Sequence, residues 1–434
     1  MLKHLKEYFK HYKIEFIFLL IIISISFYRS PYIFLNGRFI GEEASHYFLF
    51  ALNNNFLENM FYFVPLAGYY NIVPNILTEI STYIPLEYAP LSTVYGSFII
   101  FINLIVVTLF YESYFLQKKN QKIIIALILL LSPPFVPEIW LNSLNCQIYL
   151  CLTSIFILFI KQNKSRNNSY LHFNIFLASF SGIYSCSLLP LFILRYFYKK
   201  TRYDLINLVF LLLGTLTQIS IIAYTKFSNV LLGSKLEIIF NTNIIINFIY
   251  NNLAKPIFGR QLTHWFYENL NLLTLSPEKI SFMIIVLILS ILVYFFLNKG
   301  IFKRLKKDYV LLSLIIIFIL ISSVIFIGSV GTHLGGRYAV LPGCLFLLIL
   351  FRLSNFFVNK KFRIFFSLLI TMALVTGIYE FRPPIKNVKH QYIKFLDCIN
   401  CPTWSDEVKK WRKDKNYMIG IWPYPKKNFY MKVD

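Results

Sequence analysis

The sequence predicts an all-α fold, a polytopic bundle of transmembrane helices. Three observations support this fold class. Hydrophobic residues make up 57% of the 434-residue chain, and only 15% of the residues are charged, against about 25% in soluble domains. The apolar residues gather in runs of the length that a helix needs to cross a bilayer, about 20 residues. A soluble globular architecture is therefore not expected.

The apolar runs predict about eleven passes. Seven runs have the length of a full span, and they cover 14–29, 92–111, 204–225, 281–297, 310–328, 339–357 and 362–380. Two shorter runs, 122–137 and 147–161, flank a polar stretch and are interpreted as spans joined on one face. The stretch 171–197 contains Gly182 and Pro190, which favour two short helices with a turn at Gly182, as a hairpin of half-spans or a re-entrant loop.

The basic residues predict the orientation of the bundle. Lys and Arg lie in short clusters between the apolar runs, within 3–13, 118–122, 161–166, 195–202, 299–307 and 352–363. Because cytoplasmic loops are enriched in Lys and Arg, we expect a multi-pass protein of the cytoplasmic (inner) membrane with a cytoplasmic N-terminus and an extracytoplasmic C-terminus. The net charge of +23 then indicates membrane lipids rather than a nucleic acid as partner.

Two units follow from this topology. Residues 1–380 form the transmembrane module, with large outer loops at 30–91 and 226–280 that are expected to lay helices along the membrane interface. Residues 381–434 form an extracytoplasmic tail, a small cap. Cys398 and Cys401 lie in this tail and are either a disulfide or two thiols, since one C-x-x-C pair supplies too few ligands for zinc.

An acidic pair follows the first span and is the first candidate site. Glu42 and Glu43 come after Gly41, and His46 lies one helical turn further on, so all three can share a helical face. Two carboxylates and an imidazole can hold a divalent cation or activate a hydroxyl. The alternative is a pair of acids that favour a helix N-terminus.

Arg337 and Tyr338 open the tenth predicted span, directly after two glycines. A guanidinium at such a helix start can bind a phosphate through several donors. Equally, the pair could anchor the helix at the membrane interface.

Polar amides lie between the third and fourth spans. Asn142, Asn145 and Gln147 could bind sugar hydroxyls, or simply satisfy a turn. Gln218 lies inside the seventh span and must find a hydrogen-bond partner, by default on a neighbouring helix.

Several function classes lack their sequence signals. The chain has no P-loop, no G-x-S-x-G and no H-E-x-x-H motif, so ATP-driven transport and two common hydrolase chemistries have no support. No charged residue interrupts the middle of a long span, which argues against a proton or ion relay.

The acidic pair in a long outer loop after the first span resembles the GT-C membrane glycosyltransferases. This superfamily includes the protein mannosyltransferases and the aminoarabinose transferase of lipid A. Its members place Asp-Glu or a similar motif after span one, often followed by a Tyr. Here Glu42, Glu43 and Tyr47 correspond, with Glu in place of the commoner Asp.

A second resemblance covers most of the chain. Blocks at 142–147, 179–190, 336–342 and 421–425 resemble a group of uncharacterised bacterial polytopic proteins with a GT-C-like layout.

The resemblance implies a mechanism on the outer face of the membrane. A sugar would move from a polyprenyl-phosphate donor to a glycan or lipid acceptor. Glu42 or Glu43 would act as base or help hold a metal, and Arg337 would stabilise the leaving phosphate. Two alternatives are a transporter or flippase of lipid-linked oligosaccharide and a polysaccharide polymerase; the first needs a polar path through the bilayer, the second long basic outer loops.

Overall fold

The computed structural model describes most of the chain. The described residues are 12–132, 137–162, 168–228, 242–272, 304–305, 307–328, 336–381, 402–422 and 430–433. Within these ranges the architecture is helical, except for one antiparallel pair of two-residue strands near the C-terminus. The all-α prediction is confirmed at this level.

The described residues of the segment 12–380 contain sixteen α-helices. In chain order they are α1 (Lys13–Arg29), α2 (Pro31–Asn36), α3 (Leu49–Asn53), α4 (Phe56–Met60), α5 (Ile72–Thr82), α6 (Pro90–Phe110), α7 (Lys119–Leu131), α8 (Cys146–Leu158), α9 (Ser169–Ser179), α10 (Leu189–Lys199), α11 (Arg202–Phe227), α12 (Thr242–Phe248), α13 (Lys255–Leu272), α14 (Tyr309–Gly328), α15 (Arg337–Phe356) and α16 (Lys360–Glu380). Two π-helical segments, Glu43–Phe48 and Ile249–Ala254, precede α3 and α13.

Five of these helices are long and apolar enough to cross a membrane: α6, α11, α14, α15 and α16. They coincide with five of the predicted spans, and their presence indicates a membrane protein. Their burial differs, because α15 packs at the centre of the bundle whereas most of α11 and α16 is left on the outside. Exposed Leu and Ile side chains on α11 and α16 suit contact with lipid.

The count of eleven passes is not established. The first predicted span is the 17-residue helix α1, and the runs 122–137 and 147–161 form the 13-residue helices α7 and α8. The stretch 171–197 does form two short helices, α9 and α10, and its turn contains Gly182 with a φ of 76°. The predicted span 281–297 lies outside the described residues.

Several predicted cytoplasmic clusters meet at one end of the bundle. The ammonium groups of Lys161 and Lys199 lie 5.6 and 5.5 Å from the ring of Tyr114, and the Tyr309 ring lies 5.7 Å from the same ring. Helix α6 has one end here, where its last residue, Phe110, contacts Phe16. Its other end, at Pro90, lies beside Gly37 in the acidic loop.

The outer loop 30–91 is fixed to the bundle through backbone contacts of Tyr70. Gln218 of α11 accepts a hydrogen bond from the Tyr70 amide and donates one to its carbonyl, both at 2.9 Å. The Tyr70 carbonyl also accepts from the Gly182 amide at 2.9 Å. The intramembrane amide therefore does find a partner, but the partner is loop backbone rather than another helix.

The loop 226–280 contributes α12 and α13 within its described part. Helix α13 bends at Gly259, whose φ of 73° is outside the helical range. Glu380 at the end of α16 accepts a hydrogen bond from the Gln261 amide at 3.4 Å. Leu262 and Trp265 are exposed, as an interfacial helix requires, and interfacial placement stays a prediction.

The C-terminal segment folds back onto the acidic loop. It contains α17 (Trp404–Lys413), β1 (Ile419–Gly420) and β2 (Tyr430–Met431). Trp404 packs against Phe39 and donates a hydrogen bond to the Leu86 carbonyl at 2.6 Å. The tail and the acidic loop therefore lie on the same side of the bundle. Cys398 and Cys401 lie outside the described residues.

We expect Gln218→Leu to destabilise the protein, because the substitution leaves both polar groups of the buried Tyr70 peptide without the partner they have in α11. The Tyr70 amide is left unsatisfied, at a cost of about 1–3 kcal/mol, whereas the carbonyl keeps the Gly182 amide as a donor. Thermal unfolding in detergent would measure the loss. The matched control is Thr217→Leu, at a half-buried neighbouring position of α11; an equal melting temperature for Gln218→Leu and wild type would contradict the role.

Candidate functional site

The candidate site is a cleft of about 110 Å³ at the end of the bundle that carries the acidic loop and the tail. Its walls come from the outer loop, the turn before α8, the turn before α10, and helices α8, α11, α14 and α15. The lining residues are Glu42, Ala67, Gly68, Tyr69, Asn145, Gln147, Ile148, Ile183, Tyr184, Ile222, Val324, Ile325, Arg337 and Tyr338. The lining thus combines polar and charged side chains with aliphatic ones.

Glu42 lies at a turn that is fixed by contacts between the acidic loop and the C-terminal tail. Gly41 has a φ of 48°, a conformation that glycine adopts without strain. The Gly41 amide donates to the Trp422 carbonyl at 2.7 Å, and the Trp422 amide donates to the Phe39 carbonyl at 3.0 Å. The tail therefore sets the direction in which Glu42 leaves the turn.

Glu43 points away from the cleft and is fully buried. Its carboxylate accepts hydrogen bonds from the Ile40 amide at 3.0 Å and from the Ser143 amide at 2.6 Å, and it also accepts from the Ser143 hydroxyl. Burial raises the pKa of Glu43 to about 7, although the three donors act in the opposite direction. Adjacent residues of the same type thus have different surroundings, and only Glu42 lines the cleft.

The amides of the polar stretch before α8 act mainly on the backbone. Asn142 and Asn145 donate to the Glu138 carbonyl at 3.1 and 3.2 Å, and Asn142 also accepts from the Leu144 amide at 2.9 Å. These contacts fix the turn that holds Ser143 against Glu43. Asn145 nevertheless lines the cleft, while Asn142 is buried beneath it.

Gln147 and Tyr69 form a hydrogen-bonded pair in the cleft wall. The Gln147 amide donates to the Tyr69 hydroxyl at 3.3 Å, so the proton of that hydroxyl can be donated to a ligand. Burial raises the pKa of Tyr69, which keeps the proton in place. A Cβ atom on Gly182 would lie 1.8 Å from the Gln147 side-chain oxygen, so glycine at this turn leaves the room that Gln147 occupies.

Arg337 supplies the cation of the cleft. It is the first residue of α15, after Gly336 with a φ of 58°. Its Nη1 lies 3.3 Å from Oε1 of Glu138, and Nη2 donates to the Tyr338 hydroxyl at 3.4 Å. A guanidinium held this way can bind an anionic group in the cleft.

The cleft therefore brings together five of the eight predicted site residues: Glu42, Asn145, Gln147, Arg337 and Tyr338. Glu43, His46 and Asn142 are not among its lining residues. The described part of the chain contains no group of three or more His, Cys, Asp and Glu side chains placed to hold a metal ion, and both oxygens of Glu43 already accept protein donors.

Sequence reasoning missed Tyr69, Tyr184 and the role of Ser143. Tyr69 lies in a loop rich in Tyr and Asn, where no local pattern separates it from its neighbours. Tyr184 follows the predicted turn at Gly182, and that turn was the available signal. Ser143 lies between the predicted site residues Asn142 and Asn145. Its proximity to Glu43 results from the fold and has no signal in the local sequence.

No protein-family model matches this chain, and no curated protein or solved structure matches it.

The raised pKa of Glu43 makes a prediction for stability. A carboxyl whose pKa is about 7 in the folded protein, against an ordinary value of 4.5, binds more protons when folded than when unfolded. Folding stability should therefore fall as pH rises from 4.5 to 7, by at most about 3 kcal/mol. Glu43→Gln should reduce this fall when melting temperatures are recorded at pH 5, 6, 7 and 8.

The matched control is Glu58→Gln, which changes an exposed glutamate of the same outer loop. It should keep the pH dependence of the wild type. An identical pH dependence in Glu43→Gln and wild type would show that the buried carboxylate does not titrate as stated.

Proposed function

We propose that this protein is a membrane glycosyltransferase that moves a sugar from a polyprenyl-phosphate donor to a glycan or lipid acceptor. The observation that carries the proposal is the mixed lining of the cleft. Glu42 and Arg337 contribute its charged groups, and Ile222 of α11 with Val324 and Ile325 of α14 contribute aliphatic side chains from two helices that are long and apolar enough to cross a membrane. A lipid-linked phosphate needs this combination of cation and apolar wall.

Glu42 is proposed as the general base. It would take the proton of the acceptor hydroxyl while the hydroxyl oxygen forms a bond to the anomeric carbon of the sugar. The bond between that carbon and the phosphate oxygen breaks, and its electron pair leaves with the lipid phosphate. Arg337 would stabilise the charge that develops on the phosphate. A base of this kind contributes about 10²- to 10⁴-fold to a rate.

Glu43 is proposed as a positioning residue. Its contacts with Ile40 and Ser143 fix the turn from which Glu42 projects. Binding of a divalent cation is the alternative role of the acidic pair. The described donors do not fit it, because Glu43 is turned away and His46 does not line the cleft, so no step of the proposal uses a metal.

The outer face of the cytoplasmic membrane is the proposed location of the cleft. The support is the separation of the two ends of the bundle: Lys161 and Lys199 surround Tyr114 at one end, and the acidic loop and tail share the other. Under the positive-inside rule the basic end is cytoplasmic. The flippase and polymerase alternatives have no comparable observation in their favour.

Glu42→Gln should abolish transfer with little effect on folding, because Glu42 faces the cleft rather than the core. Purified protein in lipid vesicles would be supplied with a panel of undecaprenyl-phosphate sugars and candidate acceptors, and release of undecaprenyl phosphate measured. We expect a fall of about 10²- to 10⁴-fold for Glu42→Gln and unchanged release for Glu58→Gln. Full activity in Glu42→Gln would remove its role, and no donor consumption by wild type would remove the proposed function.

The topology is tested by labelling intact cells with a membrane-impermeant maleimide. Cysteines at positions 58 and 413, exposed in the outer loop and on α17, should both react. A cysteine at position 360, exposed at the start of α16, should react only after permeabilisation. Labelling of 58 and 413 from different sides would contradict the fold itself, and labelling of 360 alone would reverse the orientation.

A further inference from the structure

Glu138 is a second carboxylate at the edge of the cleft, and the proposed reaction gives it no role. It lies on the 3-10 turn Pro137–Ile139 before α8. Its Oε1 lies 3.3 Å from Nη1 of Arg337, a single contact rather than a two-pronged one. The side chains are partly exposed, Arg337 by 38% and Glu138 by 21%. An ion pair of this geometry is weak and can be exchanged.

The backbone at Glu138 is held more firmly than its side chain. Both Asn142 and Asn145 donate to the Glu138 carbonyl, and the nearby Trp140 indole donates to the Ser30 hydroxyl at 2.7 Å. The turn is thus anchored to its own chain and to the end of α1. Two buried amides fix one carbonyl, so the position of Glu138 opposite Arg337 is a property of the fold.

The charges around the cleft do not balance for an anionic ligand. Glu42 and Glu138 are two carboxylates, and Arg337 is the one cation that lines the cleft among the described residues. A phosphodiester that binds Arg337 would add a third negative charge. Because like charges at short distance repel strongly in a partly buried site, the guanidinium has to exchange one anion for another.

We propose that Glu138 is the resting counter-ion of Arg337 and that the phosphate of the lipid-linked donor displaces it. This inference rests on the proposed function, because it assumes that the cleft receives a lipid phosphate. In the empty cleft Glu138 holds the guanidinium toward the site. On binding, Arg337 turns its donors to the phosphate, and Glu138 loses its partner.

The exchange links donor binding to proton uptake. Burial raises the pKa of Glu138, Arg337 lowers it and Glu42 raises it. The groups that surround the pair are Glu42 and Tyr69 from the outer loop, Tyr184 from the turn before α10 and Tyr338 from α15. Once Arg337 has moved to the phosphate, the factor that lowers the pKa is gone, and Glu138 takes up a proton. The affinity for a phosphodiester should therefore rise as pH falls.

The test uses farnesyl methyl phosphate, a diester whose single charge does not change between pH 5 and 8. Its dissociation constant would be measured by isothermal titration calorimetry on the purified full-length protein in detergent. Glu138→Gln should bind the probe about twofold to fivefold more tightly than wild type at pH 8, the range expected when a partly exposed ion pair no longer competes. Its affinity should also be independent of pH, whereas that of wild type should fall from pH 5 to 8.

Three further variants separate the explanations. Glu138→Asp keeps the charge and should keep the pH dependence of wild type. Arg337→Gln should weaken binding at least tenfold, and Glu58→Gln should behave as wild type. Melting temperatures of all variants identify any that fail to fold; if Glu138→Gln does, Glu138→Ala, which also removes the charge, takes its place with the same expected affinity and pH profile.

The outcomes distinguish this inference from the function on which it rests. If Arg337→Gln loses binding while Glu138→Gln has the affinity and pH profile of wild type, the counter-ion role is overturned and the donor site stands. If Glu42→Gln rather than Glu138→Gln removes the pH dependence, the proton belongs to Glu42 and the inference is overturned. If wild type does not bind farnesyl methyl phosphate in preference to farnesol, both proposals are overturned.

Discussion

The buried carboxylate of Glu43 joins two segments that lie 100 residues apart in the chain, the acidic turn and the turn before α8. It accepts from backbone on both sides, from Ile40 and from Ser143. Hydrogen bonds to a charged acceptor contribute about 1.5–3 kcal/mol each, which offsets part of the cost of burying the charge. Glu42 lies in the acidic turn, and Glu138 lies in the segment before α8. The distance between these two carboxylates therefore depends on this contact.

A second constraint comes from the membrane-spanning helices. Helix α11 holds the outer loop through Gln218 and contributes Ile222 to the cleft one turn further on. The same helix therefore fixes the outer loop and contributes an aliphatic side chain to the lining of the cleft. Helix α15 likewise carries Arg337 at its first residue and packs its following residues in the centre of the bundle. The polar groups of the site are positioned by elements whose stability comes from apolar packing.

Much of this fold is predictable from the sequence because apolar runs and glycine turns are local signals. The run 92–111 differs from α6 by two residues at its start, and Gly182 marks the turn between α9 and α10. The different roles of Glu42 and Glu43 are not predictable in this way. They are adjacent and identical, and their orientation depends on Gly41 and on a bridge to Trp422, which no local pattern contains.

The polar stretch before α8 gives an intermediate case. Its side-chain amides are recognisable in the sequence as candidate site residues because they lie between two apolar runs. Two of them serve a backbone carbonyl, and Gln147 serves a tyrosine hydroxyl. Composition is therefore enough to locate this region. Which side chain contacts which group depends on the residues that other segments contribute, above all Glu43 and Arg337.

The bridge between the acidic loop and the tail also has a consequence for the order of assembly. Arg38 donates to the Gly420 carbonyl across a separation of 382 residues, so the acidic turn lacks its contacts with the tail until almost the whole chain has left the ribosome. At typical translation speeds that interval is roughly 20 to 80 s. During this time the nascent chain lacks the contacts that join the acidic turn to the tail, and a ribosome that stalls in α16 leaves a product in which those contacts cannot form.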